Sequence, residues 1–252
     1  MVVSRKRVQK IVFVTDAHVP YQDTVALSLV HKTIKAIKPD ILCVLGDFAD
    51  FYSVSAHDKS PDRRIGLSDE VAAVRKELSR FEKLKIKRKI FISGNHENRL
   101  ERYIASKAPE LFGFVSIPEL FELEENGWEY VPYKRHVMLG RLAVSHDYGS
   151  AGQTAHRTAT QKLGSPVVIG HTHRAGTVSR RNMEGQLLMS GMFGWLGDVS
   201  QIDYAHSAQV GTDWVTGFGI GYLMQCGTVI LHPVPIVDHC CIVEGQIIEV
   251  RK

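Results

Sequence analysis

Five short apolar runs in this chain end on residues that a core would not accept alone: Asp16-Ala17-His18, Gly46-Asp47, Gly94-Asn95-His96-Glu97, His146, and Gly170-His171-Thr172-His173. Carboxylates, imidazoles and a carboxamide at such positions are costly to bury unless each has a partner. Asp16, His18, Asp47, Asn95, His146, His171 and His173 together form a donor set without a thiolate. Mixed nitrogen and oxygen donors suit Mn²⁺, Fe or Zn²⁺, whereas an all-oxygen set would favour Mg²⁺ or Ca²⁺. Seven protein donors are too many for one catalytic ion that must keep an open position. They fit two ions a few ångströms apart that share a carboxylate. Asp47, at the tip of a central strand, is the natural bridge.

The elements that must position these groups alternate along the first half of the chain. Val8 to Thr15, Ile41 to Leu45 and Lys89 to Ser93 read as buried strands, and Asp23 to Ile37, Asp69 to Leu84 (with Ser68 as N-cap) and Glu97 to Ser106 carry apolar residues at helical spacing. Regular alternation of this kind predicts βαβ units and an α/β fold. Ligands in such sheets collect at the carboxyl ends of strands, where these polar groups stand. From Trp128 onward short strands separated by glycine-rich turns dominate, with one helix expected over Gly149 to Leu163. The segment from Met192 to Thr216 is polar and has no clear period.

At 252 residues, 44% hydrophobic and 23% charged, the chain has the composition of an ordinary globular protein with a sizeable core. A formal charge of +4 permits an anionic partner without requiring one. No apolar run is long enough for a membrane span, and the basic start is not followed by an apolar h-region. Four cysteines without C-x-x-C spacing argue against a disulfide framework and point to a reducing, cytoplasmic setting.

The ordered set D-x-H, G-D, G-N-H-E, H and G-H-x-H resembles the calcineurin-like metallophosphoesterase superfamily, over Asp16 to His173. The resemblance extends to small bacterial and bacteriophage-type members and, more distantly, to SbcD-type nucleases. It implies a four-layer α/β/β/α sandwich with a dinuclear metal centre at the strand ends. One domain over 1–252 is expected, with the motifs in 8–180 and the strands of 181–252 completing the second sheet. By motif, Asp16, His18, Asp47 and His173 would hold one ion, and Asp47, Asn95, His146 and His171 the other. Mn²⁺ is the first expectation, with Fe, Zn²⁺ or Ni²⁺ as alternatives. His96 would face the substrate as general acid, and Glu97 or Asp147 would orient an imidazole. Two ions of this kind polarise phosphoryl oxygens and generate a bridging hydroxide near neutral pH, while an adjacent imidazole protonates the leaving alkoxide.

The departures sharpen the expected substrate. Protein phosphatases of the superfamily carry G-D-x-V-D-R-G, but here the stretch is Gly46-Asp47-Phe48-Ala49-Asp50-Phe51, with Phe51 in place of the phosphate-gripping arginine. His146 is followed by Asp147 instead of glycine, which leaves His136 as an alternative ligand. Arg99 and His57 are candidate substrate contacts, and the basic run Lys83 to Lys89 is either a phosphate patch or a solvated helix end. The chain is therefore expected to be a phosphodiesterase acting on nucleotides or nucleic acid. A broad phosphomonoesterase is the alternative. A catalytically silent metal-binding scaffold is the reading from a different class, disfavoured because a scaffold needs no His96.

Overall fold

The computed structural model describes residues 8–56, 65–201 and 213–250. Strand β1 (Gln9–Val14) leads into helix α1 (Thr24–Ile37), then β2 (Ile41–Val44), a 3-10 turn at Tyr52–Val54, α2 (Leu67–Glu82), β3 (Arg88–Ile92) and α3 (Glu97–Lys107). After a short helix α4 (Ile117–Leu120) come β4 (Trp128–Val131), β5 (Val137–Leu139), β6 (Leu142–Val144), α5 (Ala155–Leu163), β7 (Val167–Ile169), β8 (Ala175–Arg181) and β9 (Leu187–Phe193). The chain closes with β10 (Gly217–Leu223), β11 (Val229–Pro235), β12 (Cys240–Val243) and β13 (Gln246–Glu249).

Local chemistry sets the helix ends. The Asp23 carboxylate caps α1 by accepting the Val25 and Ala26 amides, both at 2.9 Å. The helix stops at Lys38, in the left-handed region, directly before Pro39. Helix α2 starts earlier than its sequence suggests: Gly66, not Ser68, is its N-cap. Helix α5 is shorter than expected, because 149–154 form turns instead of its first turns.

The strands form two large sheets, ordered β11-β10-β1-β2-β3-β4 and β5-β6-β7-β9-β8, and a separate β12-β13 hairpin. Strands β1 to β4 are parallel neighbours, so the ends bearing Asp16, Asp47 and Asn95 lie along one edge. Alternate residues divide the packing. Val12, Val14, Leu42, Val44 and Phe91 face α1–α3 through Leu27, Ile34, Leu78, Phe81 and Leu100, while Ile11, Phe13, Cys43, Leu45, Ile90 and Ile92 meet Val137, Leu139, Val144, Val168 and Phe193 of the second sheet. Phe13 and Phe193 stack across this sheet-to-sheet contact with centroids 5.2 Å apart. Helix α5 covers the outer face of the second sheet through Ala155 and Ala159. The layers are thus helix, sheet, sheet, helix, and strands buried on both faces explain the nearly unbroken apolar runs.

The strands after residue 181 divide differently from expectation. Strand β9 joins the second sheet, but β10 pairs antiparallel with β1 and carries β11 with it into the first. Strands β12 and β13 form the separate hairpin, packed near α1. No helix among the described residues is long and apolar enough to cross a membrane.

Candidate active site

The polar strand ends meet along one edge of the paired sheets. Asp16, His18, Asp47, His171 and His173 all have φ between 30° and 65°, a backbone region that non-glycine residues seldom occupy. Each such residue costs on the order of 1–3 kcal/mol and persists only where its surroundings over-determine it. Their clustering makes this edge the candidate site. The motif glycines have a steric cause: a Cβ on Gly94 would stand 2.2 Å from Asp47 Oδ1, and one on Gly170 would stand 2.8 Å from Asp16 Oδ2.

Three overlapping donor groups result among the described residues: two fall within the expected ligand sets, and the third joins His18 and Asp47 to His96. Asp16, His18 and His173 bring ligating atoms within 4.8 Å of one another, as do Asp47, His146 and His171. His146 Nε2 lies 3.3 Å from Asp47 Oδ2 and 2.9 Å from Asn95 Oδ1, which places Asn95 in the second group. His136 is exposed on the approach to β5, so His146 and not His136 reaches Asp47. His96 also comes close: its Nε2 is 3.8 Å from Asp47 Oδ2, and its backbone amide donates to Asp47 Oδ1 at 2.8 Å.

The residues present suit divalent cations. Asp16 Oδ2 is buried and has no hydrogen-bond partner among the described residues. His18 Nδ1 is 3.0 Å from Asp50 Oδ1, which can only accept, so the proton sits on Nδ1 and the Nε2 lone pair points at His173 Nε2, 3.3 Å away. His146 Nδ1 donates to the Leu45 carbonyl at 2.8 Å, again leaving Nε2 as a donor toward the cleft. Burial holds the His18, His171 and His173 imidazoles below their ordinary proton affinity, and hence neutral. Burial would do the same to His146, but the Asp47 carboxylate reverses it and pushes the group up to about 10. That reversal reports the negative field a cation would meet.

Several partners differ from expectation. Glu97 orients no imidazole; its buried carboxylate accepts the backbone amides of Asp47 at 2.9 Å, Ala49 at 2.8 Å and Gly94 at 2.7 Å. Asp147 pairs with Lys134 at 2.5 Å and accepts the Gly149 amide. The residue that braces His96 is Asp50, whose Oδ1 is 2.9 Å from His96 Nδ1. Asp50 is the second carboxylate of the Gly46-to-Phe51 stretch, so its place in a motif was visible in the sequence but its partner was not. Glu70, buried on α2, gathers the Tyr52 and Ser53 amides and the Ser53 hydroxyl. It thereby fixes the turn after Asp50.

Arg99 stands beside His96. Its Nη2 donates to His96 Nε2 at 2.9 Å and its Nη1 to the Asp50 carbonyl at 3.0 Å. Phe51 is fully buried and stacks on Phe121 at 5.8 Å and 12°, so that position faces the core. His57 lies outside the described residues. The basic run at 83–89 is not a cleft feature: Lys87 pairs with Asp40 at 2.9 Å and Arg88 with Glu129 at 2.7 Å, at the end of β3 opposite the donor cluster.

A layered α/β sandwich with Asp, Asn and His donors at its strand tips is the architecture of a metal-dependent phosphoesterase. The family model for calcineurin-like phosphoesterases matches residues 9–175, and the chain belongs to that family. Its similarity to the Gene 54 protein of Mycobacterium phage D29 is 27% identity, over 96% of this chain and 99% of the relative. For the Gene 54 protein of Mycobacterium phage L5 it is 26%, with the same coverage. Among solved structures, vacuolar protein sorting 29 from Cryptosporidium parvum aligns at 14% identity and a TM-score of 0.46, over 95% of this chain and 94% of that one. The Pseudomonas putida nuclease MPE aligns at 14% identity and a TM-score of 0.40, over 88% and 86%.

Proposed function

We propose that this phosphoesterase is a phosphodiesterase, with nucleotides or nucleic acid as its substrates and two transition ions, Mn²⁺ foremost, as its cofactor. In this reading Asp16, His18, Asp47 and His173 hold one ion, and Asp47, Asn95, His146 and His171 hold the other. The ions would polarise the phosphoryl oxygens and activate the attacking water. His96 supplies the proton for the leaving oxygen from Nε2, while Asp50 on Nδ1 keeps the ring aimed at the cleft. Burial opposes protonation of His96, as does Arg99 to a lesser degree, but Asp47 and Asp50 together outweigh them and raise its proton affinity. In this arrangement Nε2 accepts from Arg99 and carries no proton; Arg99 reaches the phosphate by giving up that contact, and the freed nitrogen takes up the proton that it then passes to the leaving oxygen.

The observation that carries the diester reading is the burial of Phe51 against Phe121 where protein phosphatases place an arginine. A monoester dianion then meets one cation fewer, whereas a singly charged diester depends less on that contact. The deciding experiment compares kcat/KM for p-nitrophenyl phosphate and its bis ester with Mn²⁺ or Zn²⁺ loaded. A clear preference for the monoester removes the diester reading in favour of a phosphomonoesterase. A nucleic-acid substrate should also bind less tightly as salt rises, because association releases counterions.

A further inference from the structure

The imidazoles at the strand tips are not all held in the same way. Hydrogen-bond acceptors steer His146 and His18 from Nδ1, the Leu45 carbonyl at 2.8 Å and Asp50 at 3.0 Å. His173 has no counterpart: its buried Nδ1 makes no hydrogen bond among the described residues. Its ring is packed instead. One face lies on Trp195, with centroids 4.9 Å apart and planes at 15°, and the ring meets Trp214 at 4.3 Å and 84°.

The backbone ties this arrangement together. The Trp195 amide donates to the Val215 carbonyl at 3.0 Å, the Val215 amide to the His173 carbonyl at 2.9 Å, and the Leu196 amide to the Asp16 carbonyl at 3.0 Å. The indoles touch each other at 4.9 Å and 69°. Trp195 is only 3% exposed, and it lies so close over Gly197 that a Cβ there would stand 2.2 Å from its ring. Rotation of the imidazole out of its plane would have to displace the buried Trp195 ring. Packing therefore fixes the plane of the ring, whose Nε2 sits 3.6 Å from Asp16 Oδ1 and 3.3 Å from His18 Nε2.

We propose that Trp195 and Trp214 are positioning residues for His173 and govern how firmly the protein retains the ion held by Asp16, His18 and His173. The inference rests on the reading of His173 as a ligand. A hydrogen bond on the far nitrogen both aims a ligating imidazole and raises its basicity. His173 has only the aim, supplied by the indoles, so its side of the centre depends on them and His146's side does not.

The test is metal content and chelator competition on the Mn²⁺-loaded protein. Trp195→Leu keeps an apolar side chain but removes the flat ring. It should weaken retention of one ion about 10- to 100-fold, the usual scale for partners of a ligating histidine, and leave the second unchanged. Trp195→Phe should restore most of the loss. Trp214→Leu, at a half-buried position, carries the same expectation and decides the matter if Trp195→Leu does not fold. A uniform fall in Tm with both ions retained at wild-type affinity would overturn the proposal. His173→Ala separates the two readings. If it loses one ion while both leucine variants keep two, only the positioning role fails. If it keeps both ions, His173 is not a ligand and the positioning role falls with that reading.

Discussion

The Glu97 carboxylate, on the first turn of α3, accepts the backbone amide of Asp47 at 2.9 Å across the tips of two parallel strands. With the Ala49 and Gly94 amides on the same group, one buried anion ties the two strand-end loops together. Glu97→Gln keeps the shape but removes the charge, and hydrogen bonds to a charged group are worth about 1.5–3 kcal/mol each. The variant should lose about 2–4 kcal/mol of stability, read as a lower denaturation midpoint. Its metal content should fall as well, because Asp47 is no longer held. An unchanged midpoint would mean that Glu97 does not organise these loops.

Asp47 lies within reach of both proposed ligand sets: its carboxylate is 3.3 Å from His146 Nε2 in one and within 4.8 Å of a ring nitrogen of His18 in the other. Wild-type protein reconstituted with Mn²⁺ should carry about two ions per chain and lose activity to chelators. Asp47→Asn should lower occupancy at both positions, whereas Asp16→Asn should lower it at one. Elemental analysis with no bound transition metal after reconstitution would remove the metal-centre assignment.

His96 touches Asp50 and Arg99 and lies beside His18 and Asp47, but it belongs to neither proposed ligand set. His96→Ala should therefore keep metal content and lower kcat by roughly 10²–10⁴-fold. The loss should shrink for nitrophenolate, which leaves without needing a proton. Loss of an ion in this variant would make His96 a ligand.

His31, distant in sequence from every motif, gives a pH dependence of stability. It is buried on α1 and stacks on Phe81 of α2 at 4.0 Å. Burial, then Arg80 and Lys35, push its pKa down to about 3. Glu77 Oε2 is 4.0 Å away and engaged with Arg80 at 2.6 Å, so it offers little compensation. A histidine near 6.5 in the unfolded chain takes up its proton there first, so its contribution is complete above pH 6.5 and is lost progressively as pH falls toward 3. His31→Leu should narrow the stability difference between pH 7 and pH 5 by up to about 2 kcal/mol. Urea denaturation at the two pH values measures it, and equal differences in wild type and variant would contradict the shift.

Much of the frame is legible in the chain itself. Local spacing and turn chemistry produce β1 to β3, α1 and α3 nearly residue for residue, because an apolar run buried on both faces and a helical stripe are properties of consecutive residues. The order of the polar tips is equally local. Asp16, His18, Asp47, Asn95, His146, His171 and His173 all arrive at one edge.

Only the tertiary structure decides which strands and side chains become neighbours. The pattern of β10 is that of any buried strand, and nothing in it selects β1 over the second sheet; that choice is made by pairing across about two hundred residues. Glu97 looks like one more polar group in a catalytic motif until the folded chain places three backbone amides around it. Phe51 reads as a missing arginine and proves to be a core residue stacked on Phe121. Trp195 and Trp214 carry no motif at all, yet they close around His173. Spacing along the chain determines which face a residue occupies. What meets that face depends on long-range packing, which no short stretch of sequence contains.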